Sequence, residues 1–332
     1  MEEQKPTDKL SFERNNSELL WISEKVTAIR SEISKHVIGQ EHMVELLLAG
    51  IFANGHVLLE GVPGVAKTLS AKLISRLMKV GFSRIQFTPD LMPSDVIGTS
   101  VYNMKESRFV FNKGPIFSNI VLIDEINRAP AKTQAALFEV MEERQITFDG
   151  TQYPMEFPFL VVATQNPIEQ EGTYSLPEAQ LDRFIFKIIM NYPTFEEESQ
   201  ILLRYKASNG PIDMDNIEPQ FSSEDIKRIH NVMQEMVIEA SLIQYIASIT
   251  HRTRSHPKLY LGASPRASLS MLRAGKALAA LRGRDFITPE DIQYIAIPVL
   301  THRIILTPEA EMEGVTTEEV IHQILSEIEI PR

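Results

Sequence analysis

The sequence predicts an α/β domain followed by a separate helical domain. Between residues 37 and 190, short apolar segments rich in β-branched residues alternate with segments of helical period, which is typical of a parallel sheet packed against helices. After Asn191-Tyr192-Pro193 the strand signals stop and only helical patterns follow. The 332 residues are enough for two domains. We therefore expect an N-terminal polar segment and helix over residues 1–36, an α/β core over 37–190 and a helical domain over 191–332.

The chain begins with a polar stretch that leads into two helical patterns. Residues 1–16 indicate a loose polar start. From Ser17 to His36, apolar residues recur at helical spacing, namely Leu20, Trp21, Val26, Ile29 and Ile33. Val37-Ile38-Gly39-Gln40 interrupts this pattern, and a second helix is predicted over Glu41–Ala53.

Five short apolar segments have the composition of buried parallel strands. They are His56–Glu60, Arg84–Phe87, Ile120–Ile123, Phe159–Ala163 and Phe184–Ile189. Helices are predicted between some of these strands, at Lys67–Val80 and Ala131–Glu143.

Two stretches interrupt this alternation, at about residues 99–115 and 145–159. The second contains Asp149-Gly150, a hairpin turn signal. Both are expected to form hairpins or loops that project from the sheet, as surface decoration or as an interaction element.

The second domain is predicted to consist of helices. They span Phe195–Ala207, Ser223–Glu239, Ser241–Thr253, Ser264–Leu281 and Thr288–Ile295. Ser264 and Thr288 each precede a proline, which puts a capping residue before a proline at the first helical position.

Composition limits the classes of function. The chain is 43% hydrophobic and 23% charged, as ordinary globular proteins are. No apolar run reaches about 18 residues, so a membrane span is not expected, and the polar amino terminus does not resemble a signal peptide. The absence of cysteine excludes disulfides and fits a reducing compartment, so we expect a cytoplasmic location. The net charge of −11 argues against non-specific nucleic-acid binding.

The segment GVPGVAKT, from Gly61 to Thr68, predicts a phosphate-binding loop. It follows an apolar strand and opens a helix, which is the context that separates such a loop from a chance match. Backbone N–H groups would hold phosphate oxygens, Lys67 would reach the β and γ phosphates, and Thr68 would bind Mg²⁺. Ala66 replaces the usual glycine, which is tolerable in a right-handed helical conformation and strained if φ is positive. The alternative is a turn that precedes a solvated lysine.

The segment IVLIDEIN places two carboxylates at the end of a buried strand. Ligands bind at the carboxyl ends of strands in such sheets. Asp124 would hold Mg²⁺, mostly through water, and Glu125 would act as general base towards the attacking water. The alternative is an acidic pair that merely faces solvent.

Three more polar residues are candidates for the same site. Asn166, in ATQNP, could orient the water and contact the γ-phosphate, or it could be a turn residue. Arg183, in LDRF, could serve as an arginine finger. Arg266, in GASPRAS, lies in the first turn of a predicted helix, where the helix dipole favours an anionic partner for it. For either arginine, a salt bridge is the more common role.

The motifs GVPGVAKT, LIDEIN, ATQNP, LDRF and GASPRA, in this order, resemble those of the MoxR family of AAA+ ATPases. The resemblance extends from about residue 37 to the end of the chain. It implies an AAA+ P-loop core with a five-stranded parallel sheet and an all-helical lid, and the family commonly carries alanine at the position of Ala66. The interruptions at 99–115 and 145–159 match the helix-2 insert and the pre-sensor-1 hairpin.

The resemblance also implies roles for individual residues. Asn166 would be sensor 1, Arg266 sensor 2, and Arg183 the finger that reaches a neighbouring subunit's nucleotide. Residues implied to contact ATP are Ile38, Gly39, Gln40, Gly61, Val62, Pro63, Gly64, Val65, Ala66, Lys67, Thr68, Leu69 and Arg266. Family members form ring oligomers, usually hexamers, act as chaperone-like machines, and often work with proteins that contain a von Willebrand factor A domain.

Two other functions remain open at this point. One is a DNA-remodelling ATPase of the same broad branch, which the acidic net charge disfavours. The other is an interaction module that uses nucleotide only to lock an oligomer. A GTPase is disfavoured because no Asn-Lys-x-Asp segment occurs in the core, and the eight histidines do not suggest a metal enzyme.

Overall fold

The computed structural model describes residues 6–62, 64–105, 107–166, 173–207 and 213–331, and for residues 6–16 it describes the backbone alone. The helices are α1 (Pro6–Ser34), α2 (Glu41–Phe52), α3 (Lys67–Leu77), α4 (Pro93–Ile97), α5 (Ala131–Glu143), α6 (Glu178–Leu181), α7 (Phe195–Ala207), α8 (Ser223–Glu235), α9 (Ala240–Thr253), α10 (Pro265–Leu281), α11 (Pro289–Leu300), α12 (Pro308–Met312) and α13 (Thr317–Glu327). The strands are β1 (His56–Gly61), β2 (Phe82–Gln86), β3 (Gly98–Asn103), β4 (Arg108–Lys113), β5 (Ile120–Asp124), β6 (Gln145–Phe148), β7 (Thr151–Pro154), β8 (Leu160–Gln165), β9 (Phe184–Met190), β10 (Leu259–Leu261) and β11 (Ile305–Leu306).

Within the described residues, five strands form a parallel sheet in the order β2–β5–β8–β1–β9. Nearly every residue of β1, β5 and β8 is buried. Because successive side chains of a strand point to opposite faces, this pattern means that both faces of the central sheet are covered. The predicted α/β core with a five-stranded parallel sheet is confirmed.

Apolar side chains of α5 and of the central strands share one buried cluster. Leu137 and Phe138 of α5 belong to it together with Ile123 of β5 and Val161 of β8. Burying each such side chain contributes about 1.5–3 kcal/mol. This packing fixes the carboxyl ends of β5 and β8 relative to α5.

The two interruptions of the alternation are antiparallel hairpins. Strands β3 and β4 pair from Gly98 with Lys113 to Asn103 with Arg108, and β6 pairs with β7. The rings of Phe111 and Phe148 stack with centroids 4.8 Å apart, and Tyr153 lies 4.7 Å from Phe111. An aromatic cluster therefore joins the two hairpins.

The chain divides into two compact units. The α/β unit contains residues Ser31–Leu47 and Asn54–Ser223, and the helical unit contains the chain up to Arg30, Leu48–Ala53 and Glu224–Arg332. This division differs from the boundaries expected near residues 36 and 190. Gln220 and Phe221 donate backbone hydrogen bonds to the Leu77 carbonyl at the end of α3, which ties the segment after β9 to the α/β unit.

The helical unit differs from the sequence expectations at its first helix and in a short strand pair, among other places. Helix α1 begins at Pro6 and not after a loose segment of 16 residues, because proline is well suited to a first helical turn. Its buried face is formed by Leu19, Ile22, Val26 and Ile29, whereas Leu20 is exposed. The short strands β10 and β11 form an antiparallel pair within this otherwise helical unit.

Helix capping in this unit follows the sequence. The Ser264 side chain accepts a hydrogen bond from the Arg266 N–H at the start of α10, and Thr288 forms a capping box with Asp291 at the start of α11. The predicted helix starts at Ser264 and Thr288 are confirmed. Among the described helices, none is both long and apolar enough to cross a membrane.

Candidate functional site

A cavity of about 420 Å³ lies at the carboxyl ends of β1, β5 and β8, next to the start of α3. Its volume is within the range of roughly 300–1,000 Å³ that small-molecule sites occupy. It lies entirely within the α/β unit. The residues that line it are Gly61, Gly64, Ala66, Lys67, Thr68, Arg84, Gln86, Asp124, Glu125, Thr164, Gln165 and Asn166.

The loop between β1 and α3 has the backbone features of a tight, strained turn. A Cβ atom at Gly61 would lie 2.5 Å from the carbonyl oxygen of Met190, so only glycine fits beside β9. Gly64 has φ of +86°. Ala66 has φ of 58° and ψ of 22°. This is the left-handed conformation, the strained one of the two possibilities given above for this alanine. The left-handed conformation costs an alanine roughly 1–2 kcal/mol.

Three other predicted loop residues, Val62, Val65 and Leu69, are described and do not line the cavity. Val65 is buried, and Val62 and Leu69 are half-buried. Pro63 lies outside the described residues. Their predicted contacts with ATP therefore remain predictions.

Lys67 faces into the cavity at the first position of α3. Its Nζ donates a hydrogen bond to the Gly61 carbonyl oxygen at 2.6 Å. Burial lowers the pKa of the Lys67 ammonium group, and the carboxylates of Asp124, Glu60 and Glu125 oppose this shift. A bound anion would relieve the desolvation penalty by supplying a counter-charge.

Asp124, the last residue of β5, already has protein partners for both carboxylate oxygens. Its Oδ2 accepts a hydrogen bond from Arg84 Nε at 2.5 Å. Its Oδ1 lies 3.4 Å from Thr164 Oγ1 on the adjacent strand β8. The carboxylate is thus oriented by strands on both sides of β5.

Glu125 follows Asp124 in a left-handed conformation, with φ of 57° and ψ of 53°. Its N–H donates to Thr164 Oγ1 at 3.0 Å. Its Oε2 accepts from Gln86 Nε2 at 2.7 Å and lies 3.2 Å from Arg128 Nε. Such a conformation in a non-glycine residue is typical of functional sites, where surrounding contacts hold the strain.

Arg84, Gln86, Thr164 and Gln165 line the cavity but were missed as site residues in the sequence. A signal exists for the first two, because Arg84 and Gln86 are two apart in β2 and so share one face of an otherwise short strand. Strand β2 runs parallel to β5 with Gln86 opposite Asp124. That register brings both side chains to the acidic pair.

The other predicted site residues have different positions. Asn166 lines the cavity, just after β8. Arg183 packs against α5 of its own chain, where it donates to the Phe138 carbonyl and its Nε lies 3.6 Å from Glu142 Oε2. Arg266 is exposed in the first turn of α10 in the helical unit.

The segment Ile38-Gly39-Gln40 lies at the start of the α/β unit and is half-buried. It does not contribute to the lining of the cavity in the described residues. A Cβ atom at Gly39 would lie 2.6 Å from the Glu197 carboxyl carbon, and its φ is +73°. The positive φ favours glycine there, whereas the Glu197 side chain could move to make room for a Cβ atom.

The residues of the cavity suit Mg²⁺. This hard cation uses oxygen ligands, commonly one or two carboxylates together with substrate phosphates. The Asp124 carboxylate and Thr68 both line the cavity that Lys67 faces. One carboxylate, one hydroxyl and space for phosphate oxygens match that pattern.

Comparison with known proteins shows the family. A family model described as "ATPase family associated with various cellular activities (AAA)" matches residues 56–186, and one described as "AAA lid domain" matches residues 251–324. The chaperone MoxR1 of Mycobacterium tuberculosis is 44% identical over 310 residues, which cover 91% of this chain and 81% of MoxR1. The chain belongs to the MoxR family of AAA+ ATPases.

Other relatives also span most of the chain. The YeaC protein of Bacillus subtilis is 46% identical over 90% of this chain and 92% of its own length. The MoxR protein of Methylorubrum extorquens is 32% identical over 85% of this chain and 88% of its own length. A crystal structure of a candidate ATPase from Cytophaga hutchinsonii matches with a TM-score of 0.89 and 43% identity, over 97% of this chain and all of the other. The predicted MoxR-type core and lid are confirmed.

Proposed function

We propose that this MoxR-family chain is a Mg²⁺-dependent ATPase that works as a ring-forming, chaperone-like motor. One observation carries the ATPase proposal: a single cavity brings together the glycine loop, Lys67, Thr68, Asp124 and Glu125. Cation, metal ligand and base are the parts that phosphoryl transfer requires. The charge and position of each part match its role.

Different residues of the cavity would have different roles in ATP hydrolysis. The loop amides and Lys67 would bind the phosphates of ATP, and Thr68 with Asp124 would hold Mg²⁺. Mg²⁺, when bound, would neutralise negative charge on the phosphates. Glu125 would accept a proton from the attacking water, and Asn166 would orient that water.

Residues outside this cavity would complete the nucleotide site. We propose that Arg183 acts on the nucleotide of a neighbouring subunit in a hexameric ring. It does not line its own chain's cavity, and its half-exposed pair with Glu142 at 3.6 Å is a weak contact that another anion can replace. Arg266 would contact the γ-phosphate as sensor 2, and Ile38, Gly39 and Gln40, with Val62, Pro63, Val65 and Leu69, would support the nucleotide.

The β3–β4 hairpin has an apolar surface that suits contact with a client protein. Its Tyr102, Met104 and Phe109 are large apolar side chains that are about half to nearly fully exposed. Exposed apolar patches of this kind mark interaction surfaces. We propose this hairpin, the helix-2 insert, as the part that touches the client, and a von Willebrand factor A domain protein as a partner. We propose a cytoplasmic location, because the absence of cysteine fits a reducing compartment.

A mixing experiment tests the ring and the role of Arg183. Lys67→Ala should prevent ATP binding, and Arg183→Ala should bind ATP but hydrolyse it poorly, with a loss of about 10³-fold or more for an arginine finger. A mixture of the two variants should regain ATPase activity, because the Lys67→Ala subunit supplies an intact Arg183. Each variant alone at the same total concentration is the control.

A further control guards against a general effect of losing an arginine. Arg76→Ala removes another arginine with an exposed carboxylate partner, Asp215 at 3.6 Å, and it should keep full activity. A mixture that stays as inactive as its parts would argue against Arg183 acting between subunits. ATP hydrolysis by wild-type protein that needs no divalent cation would argue against Mg²⁺.

The client surface has its own test. Glu125→Gln should hold the ATP state, so a pull-down with this variant should retain the client. Adding Phe109→Ser should release the client without weakening ATP binding. Equal recovery of the client with and without Phe109→Ser would show that the client binds at another surface.

A further inference from the structure

The end of the β3–β4 hairpin is apolar on both of its faces. Tyr102 pairs with Phe109, and Val101 pairs with Val110. Because successive side chains of a strand point to opposite faces, the aromatic pair lies on one face and the valine pair on the other. The exposed fractions are 49% and 67% for Tyr102 and Phe109, and 52% and 38% for Val101 and Val110. A two-stranded hairpin that exposes apolar side chains on both faces is expected to bind a partner.

The base of the hairpin is packed, so its exposed end projects from a fixed support. Phe111 lies on the aromatic face and is half-buried. Its ring stacks on Phe148 with centroids 4.8 Å apart and lies 4.7 Å from the ring of Tyr153. The exposed surface is thus confined to residues 101–105 and 107–110, which we call the ribbon end.

The charged side chains of this hairpin are mostly basic. Lys105 and Arg108 are exposed at the ribbon end, and Lys113, at the base, lies over the Phe117 ring at 4.9 Å. Glu106, the single acidic residue of the hairpin sequence, lies outside the described residues. The whole chain has 44 acidic and 33 basic residues, so the hairpin has the opposite charge balance. Exposed cations beside an apolar surface favour a partner that carries negative charge.

Acidic peptide and nucleic acid both match that charge, and the backbone favours the peptide. Within the described residues, β3 and β4 form a sheet of two strands, so each strand has an edge without a neighbouring strand. An extended peptide can pair with such an edge through its own backbone and place alternate side chains on the two faces. Nucleic acid has no peptide backbone to pair there, and the valine pair offers its bases no aromatic ring for stacking.

We propose that the ribbon end binds an extended segment of a client protein in which apolar side chains are flanked by aspartate or glutamate. This inference names the substrate class of the client contact proposed above and rests on that proposal. The apolar side chains of the segment would contact the aromatic pair and the valine pair. Its carboxylates would contact Lys105 and Arg108.

Fluorescence anisotropy of labelled peptides tests the substrate class. One peptide has a centre of valine and tyrosine with glutamate at both ends, and a second has lysine in place of every glutamate. Each is titrated with the full-length protein, with and without ATP. The protein should bind the acidic peptide about tenfold more tightly than the basic one, because only the acidic peptide complements the charge of the ribbon end.

Reversing the charge of the ribbon end should reverse this preference. Lys105→Glu combined with Arg108→Glu should weaken binding of the acidic peptide by about tenfold, because two attractions become repulsions. The same variant should bind the basic peptide more tightly than wild type does, a gain that a misfolded hairpin would not produce. Lys132→Glu combined with Lys227→Glu is the matched control. It makes the same change in net charge at exposed positions of α5 and α8, and both affinities should stay unchanged.

The apolar part of the surface has a separate variant. Phe109→Ser should weaken binding of the acidic peptide by about tenfold, as expected for a central aromatic contact. Wild-type protein with equal affinity for the two peptides would overturn the inference, and so would an affinity for the acidic peptide that Phe109→Ser leaves unchanged. Tighter binding of a labelled thymidine oligonucleotide than of the acidic peptide, lost in the charge-reversed variant, would overturn it in favour of nucleic acid.

Failure of the proposed client contact would look different. If the pull-down with Glu125→Gln recovers a client only when Phe109 is intact, but the peptides show no charge preference, the client contact stands and the acidic substrate class is wrong. If recovery of the client does not depend on Phe109, the client contact is wrong and the substrate class falls with it, even where the acidic peptide binds the ribbon end.

Discussion

Asp124 in the α/β unit and Asp291 in the helical unit are both buried aspartates paired with arginine, but their surroundings differ. In the described part of the chain, Asp124 has one guanidinium partner, which is half-exposed and lines a cavity. Asp291 is fully buried, with Arg282 Nη1 at 2.9 Å and Arg284 Nη2 at 2.7 Å. Its other oxygen accepts from the Thr288 N–H at 2.9 Å, within the capping box of α11.

The backbone conformations beside the two aspartates also differ. Beside Asp124, Glu125 and Ala66 have positive φ values of 57° and 58°. Beside Asp291, Thr288 has the ordinary extended conformation of a helix cap, with φ of −102° and ψ of 159°. The aspartate of the candidate site thus lies beside strained backbone and has a half-exposed counter-ion, whereas Asp291 has two less exposed guanidinium partners and relaxed backbone beside it.

The largest expected effect comes from removing charge at the cavity. Glu125→Gln should lower the ATPase rate by about 10²–10⁴-fold, because the amide cannot act as general base. The free energy of unfolding should change by less than about 1 kcal/mol, since Glu125 is partly exposed in the cavity. Steady-state ATPase assays and urea unfolding measure the two quantities. Glu139→Gln, at an exposed position of α5, is the control. Equal activity of both variants would show that Glu125 is not the general base.

Removing the charge of Asp291 should instead have its large effect on the free energy of unfolding. Asp291→Asn should lower the free energy of unfolding by about 3–5 kcal/mol, because it leaves two guanidiniums without their buried counter-charge. Urea unfolding followed by circular dichroism measures this loss. Asp215→Asn, at a highly exposed ion pair with Arg76, should cost less than about 0.5 kcal/mol. Similar losses for the two variants would mean that burial does not separate structural aspartates from surface ones.

The pH dependence of stability sharpens the same contrast. Burial of Asp291 raises its pKa, but hydrogen bonds from Arg284 and the Thr288 backbone together with both guanidinium charges outweigh burial, and the pKa is lowered from its ordinary value of 3.8. A depressed pKa stabilises the folded state above the unfolded value, and this stability is lost as pH falls through the folded value.

Urea unfolding at a series of pH values, from neutral to about 3, measures this contribution. Wild-type stability should fall with acidity more steeply than that of Asp291→Asn, because the variant has no carboxylate to protonate at this position. Comparing the two proteins cancels the contributions of other carboxylates. Parallel curves would show that Asp291 has the same pKa in the folded and unfolded states.

The two aspartates also show what could be predicted from the sequence. Asp124 was found because a buried strand, an acidic pair and an upstream glycine loop are local patterns. The capping residue Thr288 was found for the same reason. Arg84 and Gln86 were not, because their partners come from the register of β2 beside β5, which no local pattern specifies. The aromatic contact between the hairpins likewise depends on tertiary packing.

The smallest expected effect concerns strain in the phosphate loop. Ala66→Gly should raise the free energy of unfolding by about 0.5–1 kcal/mol, because relief of a left-handed alanine exceeds the added entropy of glycine in the unfolded chain. Ala135→Gly, at an exposed interior position of α5, is the matched control and should lower it by about 1 kcal/mol. Urea unfolding of the two variants gives opposite signs if Ala66 has positive φ in solution. A loss of stability in both would mean that the loop without nucleotide is right-handed at Ala66, and the strain beside Asp124 would then be confined to Glu125.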